Sequence, residues 1–286
     1  LHFLSSLKTL RRWKQIANSL HAFGRPIDMA EAMSAIRAER PDARALMTEL
    51  RTCGVVAVPG YWSAQHCNQA RDDIDRVIIH QPEFVQRHCS DHRIYGMESA
   101  SAISMRFHRD SLLQKCGEVL CGKQLMNFIT LGARIDATPD NRGSGDGWHR
   151  DADGFQFKAI IYLSDADQDN GPFQYLPGTH TMWRAARDAL LTGNGTTRFS
   201  EKEIERLLSD GLPLRTFTAK AGTLLLVNTS GIHRGQPLVS GNRYALTNYY
   251  YPPSQVDEAR ITQFSPLVPN SAERVRATLE TLRVAV

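Results

Sequence analysis

Two short stretches hold the residue types from which a metal centre could be built. One is Gly147-Trp148-His149-Arg150-Asp151, and the other, far downstream, is Gly231-Ile232-His233-Arg234-Gly235. On an extended strand residues i and i+2 share a face, so the His149 imidazole and the Asp151 carboxylate can converge on one ion. A third ligand must come from elsewhere, and His233 is the best candidate. Two imidazoles and one carboxylate on one side of a metal make the facial triad of non-haem Fe(II) oxygenases, with positions left open for cosubstrate and O2. A His-x-Asp triplet alone is weak evidence, since a surface His beside a loop Asp gives the same letters by chance. Three features strengthen it. The triplet lies at the mouth of a predicted strand, the i, i+2 geometry selects Asp151 over Asp153, and His233 follows a strand, 223–227, that could run alongside.

Arg243 falls on the strand after His233, and a turn through Gly235, Pro237 and Gly241 would bring it back beside that residue. A buried guanidinium needs a carboxylate, and its planar fork suits a bidentate one. No acidic residue lies near it in sequence. A dicarboxylate cosubstrate, chelating the metal at one end, would satisfy it; the plainer reading is a surface arginine at a hairpin.

The elements that must position these residues follow from periodicity. Residues 1–23 place Leu4, Leu7, Leu10, Trp13, Ile16, Leu20 and Phe23 at helical spacing, with basic residues between them. This predicts a helix packed on the main domain or on a second copy in a homo-oligomer, with a membrane-surface helix as the alternative. Further helices are expected over 28–40, 42–52, 64–79 (with Ser63 as N-cap) and 110–121. Strands are expected over 54–58, 123–136, 155–163, 173–176, 214–218, 222–228 and 244–251. The span 181–210 is predicted as a helical insertion over the site, its second helix capped by Ser200 and Glu203. Residues 80–107 show no clear period, and 271–284 predict a terminal helix. The order suggests a mainly β fold with a helical N-terminal part: a jelly roll, or double-stranded β-helix, backed by α-helices. It divides into a helical extension over 1–50, the β domain over 51–252, and a C-terminal loop and helix over 253–286 packing on that domain.

Composition narrows the classes of function. The 286 residues are 42% hydrophobic and 22% charged, as in ordinary globular proteins. A net charge of +4 without an aromatic-interleaved basic patch argues against nucleic-acid binding. No apolar run has membrane-spanning length. The apolar start precedes its basic residues, the reverse of a signal peptide, and the missing initiator Met leaves the true N-terminus open. Five cysteines, an odd number, predict free thiols in a reducing compartment and hence a cytoplasmic protein. Cys116 and Cys121 lack a second zinc-spaced pair and read as small apolar residues on a helix.

Taken together, Trp148-His149-Arg150-Asp151, the run Asn170-Gly171-Pro172-Phe173-Gln174-Tyr175-Leu176-Pro177-Gly178-Thr179-His180, and Ile232-His233-Arg234-Gly235 with Arg243 resemble the phytanoyl-CoA dioxygenase family of Fe(II)/2-oxoglutarate oxygenases. Gly54-Val55-Val56-Ala57-Val58-Pro59-Gly60 matches that family's usual first strand and turn, so the resemblance spans about residues 50–252. It implies Fe(II) on His149, Asp151 and His233, and 2-oxoglutarate anchored by Arg243. Asn127 and Thr130, on the strand before the triplet, are candidates to help hold the cosubstrate. Lys158 stands where a neutral polar residue is expected, and solvent exposure is favoured for it over an anion-binding role. Trp148, His180, Lys158 and Trp183 are candidate substrate contacts, with Arg184 and Arg187 on the insertion and Arg93 and Met97 upstream as further ones.

The implied activity is hydroxylation of an unactivated C–H of a small molecule, anionic or carrier-linked, using O2 and releasing succinate and CO2. Asp151 fills a position that related halogenases leave small for chloride. Two alternatives stand beside it: a metal-dependent enzyme of the same fold that does not use 2-oxoglutarate, and a non-catalytic jelly-roll binding protein.

Overall fold

The computed structural model describes residues 24–284, apart from 89, 140, 153, 182, 186 and 189–196. The expected first helix, with its role in a homo-oligomer, lies outside the described residues. Helix α1 (Met29–Glu39) starts where the Asp28 carboxylate accepts from the Ala30 and Glu31 amides, and it stops ahead of Pro41. Helix α2 (Ala43–Cys53) ends at Gly54, whose φ of 81° supplies the left-handed cap. Strand β1 (Val55–Val58) and α3 (Ala64–His80) follow, the latter capped by Ser63. The span without a clear period holds β2 (Gln86–His88), β3 (Asp91–Tyr95), α4 (Met97–Ala100) and α5 (Ala102–His108). Next come α6 (Ser111–Cys121), β4 (Met126–Asp136), β5 (Phe157–Tyr162) and β6 (Phe173–Tyr175). Helix α7 (Glu201–Ser209) has the Ser200–Glu203 capping box. The chain closes with β7 (Arg215–Phe217), β8 (Leu224–Asn228), β9 (His233–Gly235), β10 (Asn242–Tyr251), α8 (Glu258–Gln263) and α9 (Ser271–Val284).

The strands form two sheets. The large one has the order β1-β8-β5-β10-β4-β3-β2 and the small one β7-β6-β9. Every paired strand is antiparallel. Residue alternation sends one face of the large sheet to the helices and the other to the small sheet. Leu224, Leu226, Leu246 and Phe157 join Ile36, Leu50, Ile74 and Phe107 in the helix-side core. Leu225 and Val227 instead meet Phe173 and Tyr175 between the sheets. Each such side chain contributes about 1.5–3 kcal/mol on burial. The resulting double-stranded β-helix backed by α-helices is the predicted fold.

On β10, Tyr244, Leu246 and Tyr250 enter the helix-side core, while Arg243, Ala245, Thr247, Tyr249 and Tyr251 line a cavity between the sheets. An extra residue on β4, Phe128, shifts the register at Tyr249 and Tyr250. Ile129 and Phe128 therefore both face the C-terminal core, with Tyr251, Phe264, Val275 and Leu279. Among the described residues no helix is long and apolar enough to cross a membrane, and Cys53, Cys67, Cys116 and Cys121 are free thiols.

Candidate metal centre

His149 and His233 are direct cross-strand partners. Each backbone amide donates to the other's carbonyl at 2.9 Å, so the triplet extends the small sheet beside β9. The expected neighbour, the strand leading to His233, belongs instead to the large sheet as β8, and only its far end reaches the triplet, where the Asp151 amide donates to Thr229 O at 3.0 Å. The two imidazole centroids lie 4.3 Å apart. One ligand atom from each of His149, Asp151 and His233 falls within 4.8 Å of the others. Asp151 Oδ1 is 3.6 Å from His149 Nε2, and Oδ2 is 3.7 Å from His233 Nε2.

Both rings are held by the backbone. His149 Nδ1 pairs with Gly147 O at 2.8 Å and His233 Nδ1 with Gly231 O at 2.9 Å. A carbonyl only accepts, so each Nδ1 carries the proton and each Nε2 presents a lone pair to the centre. Burial, then the neighbouring His149, pushes His233 down to about 3, which keeps it a neutral donor. Burial opposes the charge on Asp151, yet Lys158 and the two imidazoles hold its carboxyl well below the ordinary range. Lys158 Nζ lies 2.7 Å from Asp151 Oδ2 and 4.2 Å from the Tyr249 ring centroid. The expectation that Lys158 faces solvent is thus corrected: β5 alternation aims it inward, and it is buried. Gly145 sits against the centre with φ of 87°, and a Cβ there would lie 2.1 Å from His149 Cε1.

A cavity of about 410 Å³ opens on this centre. Arg243 projects into it and is buried, with no hydrogen-bond partner for Nε or Nη1 among the described residues. Burial pulls its guanidinium below the ordinary range. Arg243 lies on the large sheet and His233 on the small one, so they meet across the cavity rather than as the expected neighbours around one turn. Gly235 makes that approach possible, since a Cβ there would stand 2.7 Å from Arg243 Nη2. An unpaired buried guanidinium is costly, and a carboxylate ligand removes the cost. Two neutral imidazole nitrogens and a carboxylate suit Fe(II), and the orphaned fork suits a dicarboxylate.

Other candidates lie elsewhere. Asn127 and Thr130 point to the helix side of β4: Asn127 Nδ2 donates to His108 O at 2.9 Å, and Thr130 Oγ1 donates to Asn248 Oδ1 at 2.6 Å. Neither lines the cavity, whose β4 wall is Leu131, Ala133 and Ile135. Trp148 flanks His149, so the two-residue period turns it to the opposite face, under Arg234 at 4.4 Å. His180 binds Arg51 O at 3.1 Å, and Trp183 is exposed. Met97 is core, and Arg187 is exposed. Arg184 pairs with Asp188 at 2.9 Å, and Arg93, which does line the cavity, pairs with Asp91 at 2.5 Å. Of the predicted insertion, Thr197 and Arg198 reach the cavity; residues 189–196 lie outside the described ones. Sequence reasoning missed Gln156, Tyr249, Tyr251, Gln255, Arg260 and Phe264. The two tyrosines were within reach, because they share the odd-numbered face of β10 with Arg243.

The family model for phytanoyl-CoA dioxygenase (PhyH) matches residues 50–244. The chain belongs to the phytanoyl-CoA dioxygenase family, and with it to the non-haem Fe(II)/2-oxoglutarate-dependent oxygenases. No curated protein matches it. Among solved structures it is similar to the epimerase SnoN in complex with Fe3+, alpha ketoglutarate and nogalamycin RO (18% identity, TM-score 0.59, covering 80% of this chain and 92% of that one). HygX from Streptomyces hygroscopicus with nickel and 2-oxoglutarate bound gives 20% identity and a TM-score of 0.53, over 73% and 87% of the two chains. EctD from S. alaskensis with bound Fe gives 15% and 0.57, over 74% and 77%. At these identities the likeness is one of fold.

Proposed function

We propose that this oxygenase hydroxylates an unactivated C–H of a small organic molecule, with release of succinate and CO2. The observation that carries this is the pairing, in one cavity, of the His149–Asp151–His233 cluster with the Arg243 guanidinium, whose Nε and Nη1 have no hydrogen-bond partner among the described residues. His149 Nε2, His233 Nε2 and Asp151 Oδ1 would hold the iron, and Arg243 would grip the far carboxylate of 2-oxoglutarate. When bound, iron would activate O2, the oxidant, which takes two electrons from 2-oxoglutarate as it goes to succinate and CO2 and two from the substrate C–H bond.

The chain's own side chains do the rest. Gly147 O and Gly231 O hold the two Nδ1 protons, which fixes both rings. Lys158 occupies Asp151 Oδ2 and leaves Oδ1 free for a single bond to metal. Small Ala245 and Thr247 leave room between Arg243 and the cluster. Leu131, Ile135, Ile160 and Phe173 line the cavity with apolar surface that keeps water from the reacting groups.

An intact carboxylate at Asp151 argues against a halide ligand, and the unpaired Arg243 against a cosubstrate-free enzyme. Succinate release coupled to O2 uptake, with one labelled oxygen from O2 appearing in the product, tests the proposal. Succinate release with a product that gains no oxygen would make the outcome a rearrangement or epimerisation instead.

A further inference from the structure

The odd-numbered face of β10 gives the cavity two arms. Arg243 stands at one end and Tyr251 at the other, roughly 27 Å along the strand at about 3.4 Å per residue. Between them Tyr249 meets Lys158, which holds Asp151. On the proposed oxygenase function, the Arg243 arm takes 2-oxoglutarate. The other arm is walled by Tyr251, Gln255, Arg260, Gln263 and Phe264.

Its charges are not balanced. Asp151 is the one carboxylate among the described lining residues. Asp91 pairs with Arg93, Asp188 with Arg150 and Asp151 itself with Lys158, while Arg198 donates to the Gly145 and Asp146 carbonyls. Arg260 has no carboxylate among the described residues: its Nη1 donates to Gln263 Oε1 at 3.3 Å, and neighbouring Glu258 is taken by Arg276 through two 2.9 Å bonds. The guanidinium is also positioned. It lies 4.7 Å from the Tyr251 ring centroid, and the Tyr251 hydroxyl is fixed by Gln156 Nε2 at 2.7 Å. A ferrous ion and a dicarboxylate cancel each other, so the loaded cavity keeps the positive charge of Arg243 and Arg260.

We propose that the substrate carries an anionic group, a carboxylate or a phosphate, which docks on Arg260 against Tyr251 while the C–H to be oxidised lies toward the cluster. The test uses phenyl phosphate and its neutral counterpart phenol, titrated by calorimetry into the protein with and without Co(II) and 2-oxoglutarate. Phenyl phosphate should bind on the order of tenfold more tightly than phenol, as one charge-assisted contact implies. Arg260→Gln should abolish that preference, and Arg260→Lys should restore part of it. Equal binding of the two probes, no binding of phenyl phosphate, or a preference that survives Arg260→Gln would overturn the proposal. In a turnover screen of carboxylic acids against their amides, the acids alone should raise succinate release; an amide that does so equally well would also overturn it. Failure of the Co(II) and 2-oxoglutarate titration itself would remove the oxygenase function and leave the Arg260 result on metal-free protein standing.

Discussion

Each imidazole of the cluster is oriented by a carbonyl two residues before it, so the donor atoms are set by the backbone rather than by packing alone. Alanine at His149, Asp151 or His233 should weaken Co(II) binding about hundredfold or more, read by calorimetry. Arg243→Gln should raise the 2-oxoglutarate Kd by roughly tenfold to hundredfold, the worth of a charge-assisted fork. Gly145→Ala is expected to lower metal affinity as well, because the added methyl would occupy the place of the His149 ring. The i, i+2 rule made the aim of His149 and Asp151 toward the cluster legible in the sequence, and the same rule turns Trp148 and Arg150 away from it into the buried surroundings. Lys158 was not legible in this way. Its burial depends on which face of β5 meets the small sheet, and a strand's own pattern of Phe157, Ala159 and Ile161 against Lys158, Ile160 and Tyr162 is apolar on both faces.

At the scale of elements, the helix side of β4 carries a buried polar network that docks α9. His108 Nδ1 meets Thr130 Oγ1 at 3.0 Å, Arg274 Nη1 meets His108 Nε2 at 3.0 Å, and Arg274 pairs with Glu98. Burial, then Arg109, lowers His108 from the usual 6.5 to about 4, so the fold holds it neutral. The unfolded chain therefore binds the extra proton first. This contribution to stability is complete above about pH 6.5 and is lost as pH falls toward 4, and His108→Gln should flatten that part of a stability–pH curve measured by urea unfolding. A second buried group ties the triplet to the segment beyond His180: Arg150 donates to Thr179 O and Ser230 O and pairs with Asp188. Arg150→Ala leaves Asp188 to Arg184 and takes the donor from the Thr179 and Ser230 carbonyls, and a loss of about 1–3 kcal/mol is expected in the same unfolding assay. The long elements with caps, such as α7 behind Ser200 and Glu203, were legible from local chemistry. The stretch 80–107 was not, because β2, β3, α4 and α5 are each too short to show a period and are held by β4 and α3.

For the molecule as a whole, the jelly roll was legible as a run of short strands with Gly and Pro turns, whereas the division of labour between its sheets was not. Nothing local says that β8 and β9, separated only by a turn, enter different sheets. Nor does it say that α8 returns to wall the cavity; the C-terminal span was expected only to pack against the β domain. Yet Phe264, Val275 and Leu279 complete a core with Phe128 and Tyr251. The pairing of His149 with His233 joins these scales. An ion held by both would act as a staple across the long loop between them, adding to the hydrogen bonds that already close it. Loading and unfolding should then be thermodynamically linked: a hundredfold excess of Co(II) over its Kd should stabilise the native state by about 2.7 kcal/mol. In differential scanning calorimetry the Tm should climb with free metal concentration, and a Tm indifferent to metal would mean that the two histidines are joined by their backbone hydrogen bonds alone.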